Sequence, residues 1–396
     1  MTQRFKPTEK TVPLMRYFRA MTNICIEIGL RHDASALKRL SMLSYHELTS
    51  YPVPSYYKLC AISKAAGILA ARKKSIRRGY PTKDPYMKKL MLTSCYGFKI
   101  ADGKLRISVG NRRYEEIPLA THTNETASAP SLTVDSFTLT ERSLSLCLFK
   151  EVEPVTALGN VGVDRNLRNL TVANEGADAV TYYDLSKCVD ITETTRQIVS
   201  SFKRNSLKVR RRISGKYGQR RSARIIQLLH QISKDVVQKA KQDRTIIVFE
   251  DLRGIRRVYG RRSRQGRSYR SRMNGWSFAE IKRQIEYKAA WEGVLVVTLS
   301  RFATRGTSVT CFQCGERLQE SRQLKRKVWC EKCRTMFDRD EVAAVNIARR
   351  GRLRFDRSKG EAVEAMVQES DAPMETGKVI LKVDASKLTV RHEPTT

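Results

Sequence analysis

Three carboxylates and four thiols are the residues whose types and spacing could do chemistry in this chain. Asp164 follows the apolar run 161–163, Glu250 follows the apolar run 246–249, and Asp340 opens a helical segment after Phe337-Asp338-Arg339. In an open α/β sheet the strand ends converge on one edge. Two neighbouring strand ends and a facing helix can therefore bring these acids together, although they lie 86 and 90 residues apart in sequence. Such a set of hard oxygen ligands suits Mg²⁺, which keeps several of its waters. Two ions about 4 Å apart can activate an attacking water and stabilise the leaving 3′ oxygen of a phosphodiester. Each acid alone is explained as well by a helix cap or an arginine pair. It is the three together, each ending an apolar strand or opening a helix, that favour a catalytic Mg²⁺ site with two ions.

The thiols make a sharper pattern. Cys311-x2-Cys314 and Cys330-x2-Cys333 are separated by 15 residues. Two knuckles joined by a hairpin-length spacer are the signature of a tetrahedral four-cysteine zinc site, closed to substrate and therefore structural. Gly315 suits the knuckle turn. Thiolates select zinc over magnesium, so this metal is distinct from the one expected at the acids. The spacer carries Arg317, Arg322, Lys325, Arg326 and Lys327, which gives the ribbon a surface for nucleic acid. The other five cysteines, Cys25, Cys60, Cys95, Cys147 and Cys188, are scattered and read as buried thiols of a reducing compartment.

The elements that must position these groups follow from periodicity. Residues 1–95 read as mainly helical: Leu14, Phe18, Met21, Cys25 and Ile28 recur at helical spacing, and a second stripe runs through Leu59, Ile62, Ala65 and Ala66. Residues 96–155 change to a period of two, with Leu144, Leu146 and Leu148 alternating after a turn at Thr140-Glu141-Arg142, and predict a small β domain. From about 160 the pattern is α/β. Strands are expected at 161–163, 169–173, 179–183, 245–249 and 294–299, with helices at 192–214, 220–242, 277–290 and 339–350. Gly215 and Gly218 mark a break between the first two helices. Ile225, Leu229, Ile232, Val236 and Ala240 form the core stripe of the second. Residues 353–396, with Glu361, Glu364, Glu369, Asp371 and Glu375 and few aromatics, read as an acidic disordered tail.

Composition bounds the partners. The chain of 396 residues carries 75 Lys and Arg against 40 Asp and Glu, a net charge of +35. So large an excess adds self-repulsion on folding, and its natural counter-charge is a phosphate backbone. The basic residues cluster: Arg210, Arg211, Arg212, Arg220 and Arg221 on the helical stretch, then nine arginines within 251–272, among them Arg256, Arg257, Arg261 and Arg262. These are the expected nucleic-acid contacts. No apolar run reaches the roughly 18 residues of a membrane span, and the first residues lack a cleavable signal pattern. A cytoplasmic, membrane-free protein is expected.

Taken together, these residues resemble a family. Gly162-Val163-Asp164-Arg165-Asn166, Val248-Phe249-Glu250-Asp251-Leu252, Thr307-Ser308 before the first cysteine pair, Phe337-Asp338-Arg339-Asp340 after the second, and Ala343-Ala344-Val345-Asn346-Ile347 are similar to TnpB, the transposon-encoded family related to type V CRISPR effectors. The segment from Gly275-Trp276-Ser277-Phe278 to Tyr287-Lys288 also looks like the family's. The resemblance is specific over 158–351 and weak over 1–155. It implies an α/β, RNase H-like (RuvC) core with an inserted four-cysteine zinc ribbon, preceded by a mainly helical recognition region with the first wedge strand or strands (1–95) and a small β-barrel-like wedge domain (96–155). The core would occupy 156–306 and 337–352, and the ribbon 307–336. The resemblance further implies an RNA-guided, Mg²⁺-dependent DNA endonuclease of prokaryotes. Its guide RNA would derive from the transposon right end, and its target would be double-stranded DNA beside a short transposon-adjacent motif. Asp164, Glu250 and Asp340 fall on the family's catalytic positions, and the four cysteines on its zinc ligands. Two positions depart from the pattern: Asn166 stands where many relatives have Gly, and Val342 where they often carry Asn. Two other readings stay open, a guided DNA-binding regulator without cleavage and a DDE-type strand transferase. A tyrosine transposase would need a histidine pair, and the five histidines are isolated in sequence.

Overall fold

The computed structural model describes residues 1–358 apart from 111–112, 261–264 and 322. The acidic segment from 359 onward and the arginines at 261 and 262 lie outside the described residues. The chain divides into two units, Met1–Glu151 and a second beginning at Val152.

The first unit runs β1 (Thr2–Arg4), α1 (Thr11–Arg31), α2 (Leu37–Ser44), α3 (Ser55–Arg77), β2 (Met91–Ser94), β3 (Phe98–Ala101), β4 (Lys104–Gly110), β5 (Arg113–Pro118), α4 (Thr121–Ala127), β6 (Thr133–Thr140) and β7 (Ser143–Phe149). All five apolar residues picked out on α1 are buried. On α3 the buried face is Tyr57, Ala61, Ile62, Ala65, Ala66 and Leu69, and Leu59 is exposed beside it. The turn between β6 and β7 falls at 141–142 as the sequence predicts, held by Thr140 Oγ1, which accepts from the Ser143 backbone N–H at 3.0 Å.

The strands form two open sheets, ordered β1-β7-β6-β2 and β3-β4-β5. Among the described residues the barrel-like closure expected of this region is therefore absent. The physical reason is that helices cover the apolar faces: Phe18, Met21, Tyr57 and Ile62 share one core with Leu92, Leu105, Phe137 and Leu144. That core draws on residues from both sides of 95/96. Of the five scattered cysteines only Cys25 is buried; Cys95 is exposed, with its sulfur 3.8 Å from that of Cys60.

The second unit runs β8 (Gly159–Arg165), β9 (Asn169–Asn174), β10 (Val180–Asp184), α5 (Ser186–Ser201), α6 (Leu207–Gln242), β11 (Thr245–Phe249), α7 (Arg267–Gly275), α8 (Phe278–Trp291), β12 (Val296–Thr298), α9 (Arg301–Thr304), β13 (Gln319–Glu320), β14 (Lys327–Cys330), β15 (Thr335–Asp338) and α10 (Arg339–Ser358). Its main sheet has the order β10-β9-β8-β11-β12. The first three strands are an antiparallel meander, and β11 and β12 join parallel to β8. Val163, Leu170, Ile247 and Phe249 pack with Ile225, Leu229, Val236, Ile281 and Ile285 of α6 and α8. On the opposite face Val248 packs with Ile347, and Ala173 with Val342, Ala344 and Val345 of α10.

One helical expectation fails. α6 runs unbroken for 36 residues through Gly215 and Gly218. A glycine within a helix costs only about 1 kcal/mol, whereas Ser206 offers a cap, its hydroxyl accepting from the Val209 N–H. The break accordingly falls at 202–206. The arginine-rich segment 251–272 is not all loop, since Ile255–Arg257 forms a 3₁₀ turn and α7 starts at Arg267. No described helix is long and apolar enough to cross a membrane.

Candidate metal centres

Strand register brings the first two acids together. Val163 pairs with Phe249 in the parallel β8–β11 ladder, so Asp164 and Glu250 are the next positions on neighbouring strands, whose spacing is roughly 4.8 Å. Alternation puts both on the face of Gly162 and Val248, the face covered by α10. The third acid arrives because α10 presses its backbone onto the sheet. A Cβ on Gly162 would collide with the Ala344 carbonyl oxygen and the Ala348 nitrogen. Only glycine permits that approach, and it lays the first turn of α10 beside the end of β8. Asp338 opens the helix, its carboxylate accepting from the Asp340 N–H at 2.9 Å.

All three acids are buried, with Asp164 8%, Glu250 9% and Asp340 4% exposed. Burial pushes Asp164 well above the usual carboxylate range, and the adjacent Glu250 and Asp340 push the same way. Burial also raises Glu250, against the opposing pull of Arg165. Each acid has a protein partner. The Asn166 amide donates to Asp164 Oδ2 at 2.5 Å, and the Asn169 amide to Asp340 Oδ2 at 2.9 Å. Arg326, from the turn between β13 and β14, donates to Asp340 Oδ1. The Arg165 guanidinium is buried beside Glu250, 3.6 Å from its Oε1, and donates to the backbone oxygens of Glu250 and Phe278. Thr171, the register partner of Asp164, buries its hydroxyl completely without a hydrogen-bond partner among the described residues.

The donor set fits a hard cation: three carboxylates on one face and an orphaned hydroxyl beside them. Among the described residues, however, the group of three or more ligand atoms lying within 4.8 Å of one another is the four cysteines, so the carboxylates are less tightly gathered. Of the two departures from the family pattern, Asn166 is at the site and holds Asp164. Val342 points away and is fully buried in the core shared with the ribbon. Sequence reasoning missed Asn169, Arg165 and Thr171, and named Arg326 only as one of several basic residues. Asn169 opens a strand on the same face as Asp340, a signal available once β8 and β9 are paired.

The cysteines converge as their spacing predicts. Cys311 and Cys333 sulfurs lie 3.8 Å apart, and those of Cys314 and Cys330 3.4 Å. A tetrahedron with Zn–S distances near 2.3 Å has edges of about 3.8 Å, so the four thiols fit zinc. Gly315 takes the left-handed conformation of the knuckle turn, φ +79°. The ribbon packs through Phe312, Leu318, Val328 and Phe337 against Val342 and Val345, residues of the helix that carries Asp340.

The basic residues expected to contact nucleic acid are surface groups where they are described. Arg210, Arg211, Arg212, Arg220, Arg221 and Arg256 are all exposed, and the first five turns of α6 contain no buried side chain. Arg256 also lies 5.7 Å from the centre of the Phe278 ring. Arg257 belongs to the 3₁₀ turn, but its side chain lies outside the described residues.

Residues 278–347, from α8 through the ribbon into α10, match the family described as "Cas12f1-like, TNB domain". A TnpB-like protein of Methanocaldococcus jannaschii is 30% identical over 202 residues, covering 46% of this chain and 69% of that protein. A second TnpB-like protein of the same organism is 27% identical over 312 residues, 77% of this chain and 70% of its own length. A cryo-EM structure of a CRISPR-Cas12f ternary complex aligns over 86% of this chain and 82% of that one, at 14% identity and a TM-score of 0.37. With more than two thirds of a 30%-identical relative covered, the chain is a member of the TnpB family.

Proposed function

We propose that this protein is an RNA-guided, Mg²⁺-dependent endonuclease that cuts double-stranded DNA beside a short transposon-adjacent motif, with a guide RNA derived from the transposon right end in the prokaryotic cytoplasm. The observation that carries the reading is the convergence of Asp164, Glu250 and Asp340, buried, on the α10 face at the ends of β8 and β11. The sheet order β10-β9-β8-β11-β12 supports the reading of an RNase H-like core, and family membership supports the same class. Divalent cations held by the three carboxylates would supply charge stabilisation at a scissile phosphate. The rest is done by the chain. Arg165 ties the ends of β8 and β11 together, Asn166 and Asn169 orient two of the acids, and Arg326 pairs with Asp340 from the ribbon until a cation takes its place. Base pairing with a guide would read sequence, leaving the protein to supply a basic track for the backbone. The exposed face of α6 and Arg256 suit that role, and zinc at Cys311, Cys314, Cys330 and Cys333 would hold the ribbon. The first unit would serve recognition of the adjacent motif.

The test is cleavage of motif-bearing duplex DNA by the purified protein–RNA complex in Mg²⁺, with Asp164→Ala as the control. Guide-dependent cutting that is lost in the variant is the expected result. Tight guided binding with no cutting would overturn the nuclease reading in favour of a regulator, and joined products with transposon-end DNA would overturn it in favour of a strand transferase.

A further inference from the structure

Thr171 lies in the middle of β9, opposite Asp164 in the antiparallel ladder. Residues so paired point to one face, with Cβ atoms roughly 4.5–5.5 Å apart. Along that face β9 presents Asn169, Thr171 and Ala173. Asn169 donates to Asp340, and Ala173 packs in the core shared with α10. Thr171 between them is 0% exposed, and its hydroxyl has no hydrogen-bond partner among the described residues. A buried hydroxyl without a partner is costly, and native structures rarely keep one without a use. Here it faces the same side of the sheet as a buried carboxylate without bonding to it. Magnesium keeps several waters when bound by a few carboxylates.

We infer that Thr171 is a positioning residue of the carboxylate site, its hydroxyl hydrogen-bonding a water in the hydration shell of a divalent cation held by Asp164. The inference rests on the reading of the three acids as a cation site. It gives that site a preference: ions that bind with their waters, Mg²⁺ and Mn²⁺, are accommodated. The alternative role for Thr171 is packing, for which a β-branched residue in a strand is well suited. The two roles separate by substitution. Valine keeps the shape and removes the hydroxyl, whereas serine keeps the hydroxyl and removes the methyl.

The experiment titrates Mn²⁺ into the full-length, zinc-loaded protein and follows the free ion by electron paramagnetic resonance. Wild type, Thr171→Val, Thr171→Ser and Asp164→Ala are compared, the last defining binding elsewhere on the surface. Outer-shell partners of metal ligands are worth about 10–100-fold in affinity, so Thr171→Val is expected to bind Mn²⁺ at least about tenfold more weakly and Thr171→Ser within about twofold of wild type. Without added cation Thr171→Val is expected to melt no lower than wild type, because it removes an unsatisfied group. That result shows the loss of affinity is not a loss of fold. Wild-type affinity in Thr171→Val would overturn the inference and leave the cation site standing. Equal binding by wild type and Asp164→Ala would overturn the cation site itself, and the role of Thr171 with it.

Discussion

Asp340 has two protein partners and one of them is a cation. Arg326 is half exposed, at 53%, and reaches from the ribbon to a carboxylate that is 6% exposed. A guanidinium on a carboxylate oxygen occupies the place of a metal and repels any ion brought near it. Arg326→Ala should therefore tighten Mn²⁺ binding at the acids by roughly 2–5-fold, the range of about 0.5–1 kcal/mol expected for a partly solvated ion pair. Mn²⁺ titration monitored by electron paramagnetic resonance checks it, and weaker binding in the variant would mean that Arg326 orients Asp340 more than it competes for it. The acids themselves are legible in sequence because each ends an apolar run or opens a helix, features that survive without knowledge of the fold. Their partners are not. Asn169 meets Asp340 from 171 residues away, and Arg326 differs from its basic neighbours in the spacer only through the turn that aims it.

At the scale of elements, the site depends on α10 holding its place, and two contacts fix it. One is the backbone approach at Gly162. The other is the ribbon, whose core residues Phe312, Val328 and Phe337 are continuous with Val342 and Val345 on α10. Zinc held by the four cysteines would thus act on Asp340 at one remove. Stripping zinc, or Cys330→Ser, should lower the melting temperature of the protein on the order of 10 °C, given about 2–4 °C per kcal/mol for a unit of this size. It should also expose the amides at the start of α10 to hydrogen exchange, with recovery on zinc but not on magnesium. Unchanged protection of α10 would separate the ribbon from the acids. The strand pattern and the cysteine pairs that build this arrangement are readable from period and spacing. Three features are not. α6 runs through two glycines because Ser206 supplies a better helix start upstream. The first unit leaves its sheets open because helices far away in sequence cover them. Val342 looks like a site position by its distance from Asp340, yet helical geometry turns it into the ribbon core.

At the scale of the whole molecule, the excess of 35 positive charges is arranged rather than spread. Between Lys203 and Arg224 the chain has ten basic residues and no acid, eight of them on α6, whose first five turns have no buried side chain. A helix half that buries nothing gains little from tertiary packing, which is the usual source of helix stability, and its like charges repel one another. Such a segment is stabilised when a polyanion supplies the missing charge. Binding of that kind releases counterions, so the logarithm of affinity falls linearly with the logarithm of salt, by about 0.7–0.9 per phosphate neutralised. If α6 lies against a nucleic-acid backbone, replacing Arg210, Arg211 and Arg212 with alanine should reduce the salt slope for RNA binding by about 2–3, the sum of three phosphate contacts. Filter binding between roughly 50 and 300 mM salt, a range over which such slopes are steep, reads it directly. An unchanged slope would assign these arginines to a solvated surface and leave the counter-charge to be found elsewhere, with Arg256 and the segment after Glu250 next in line.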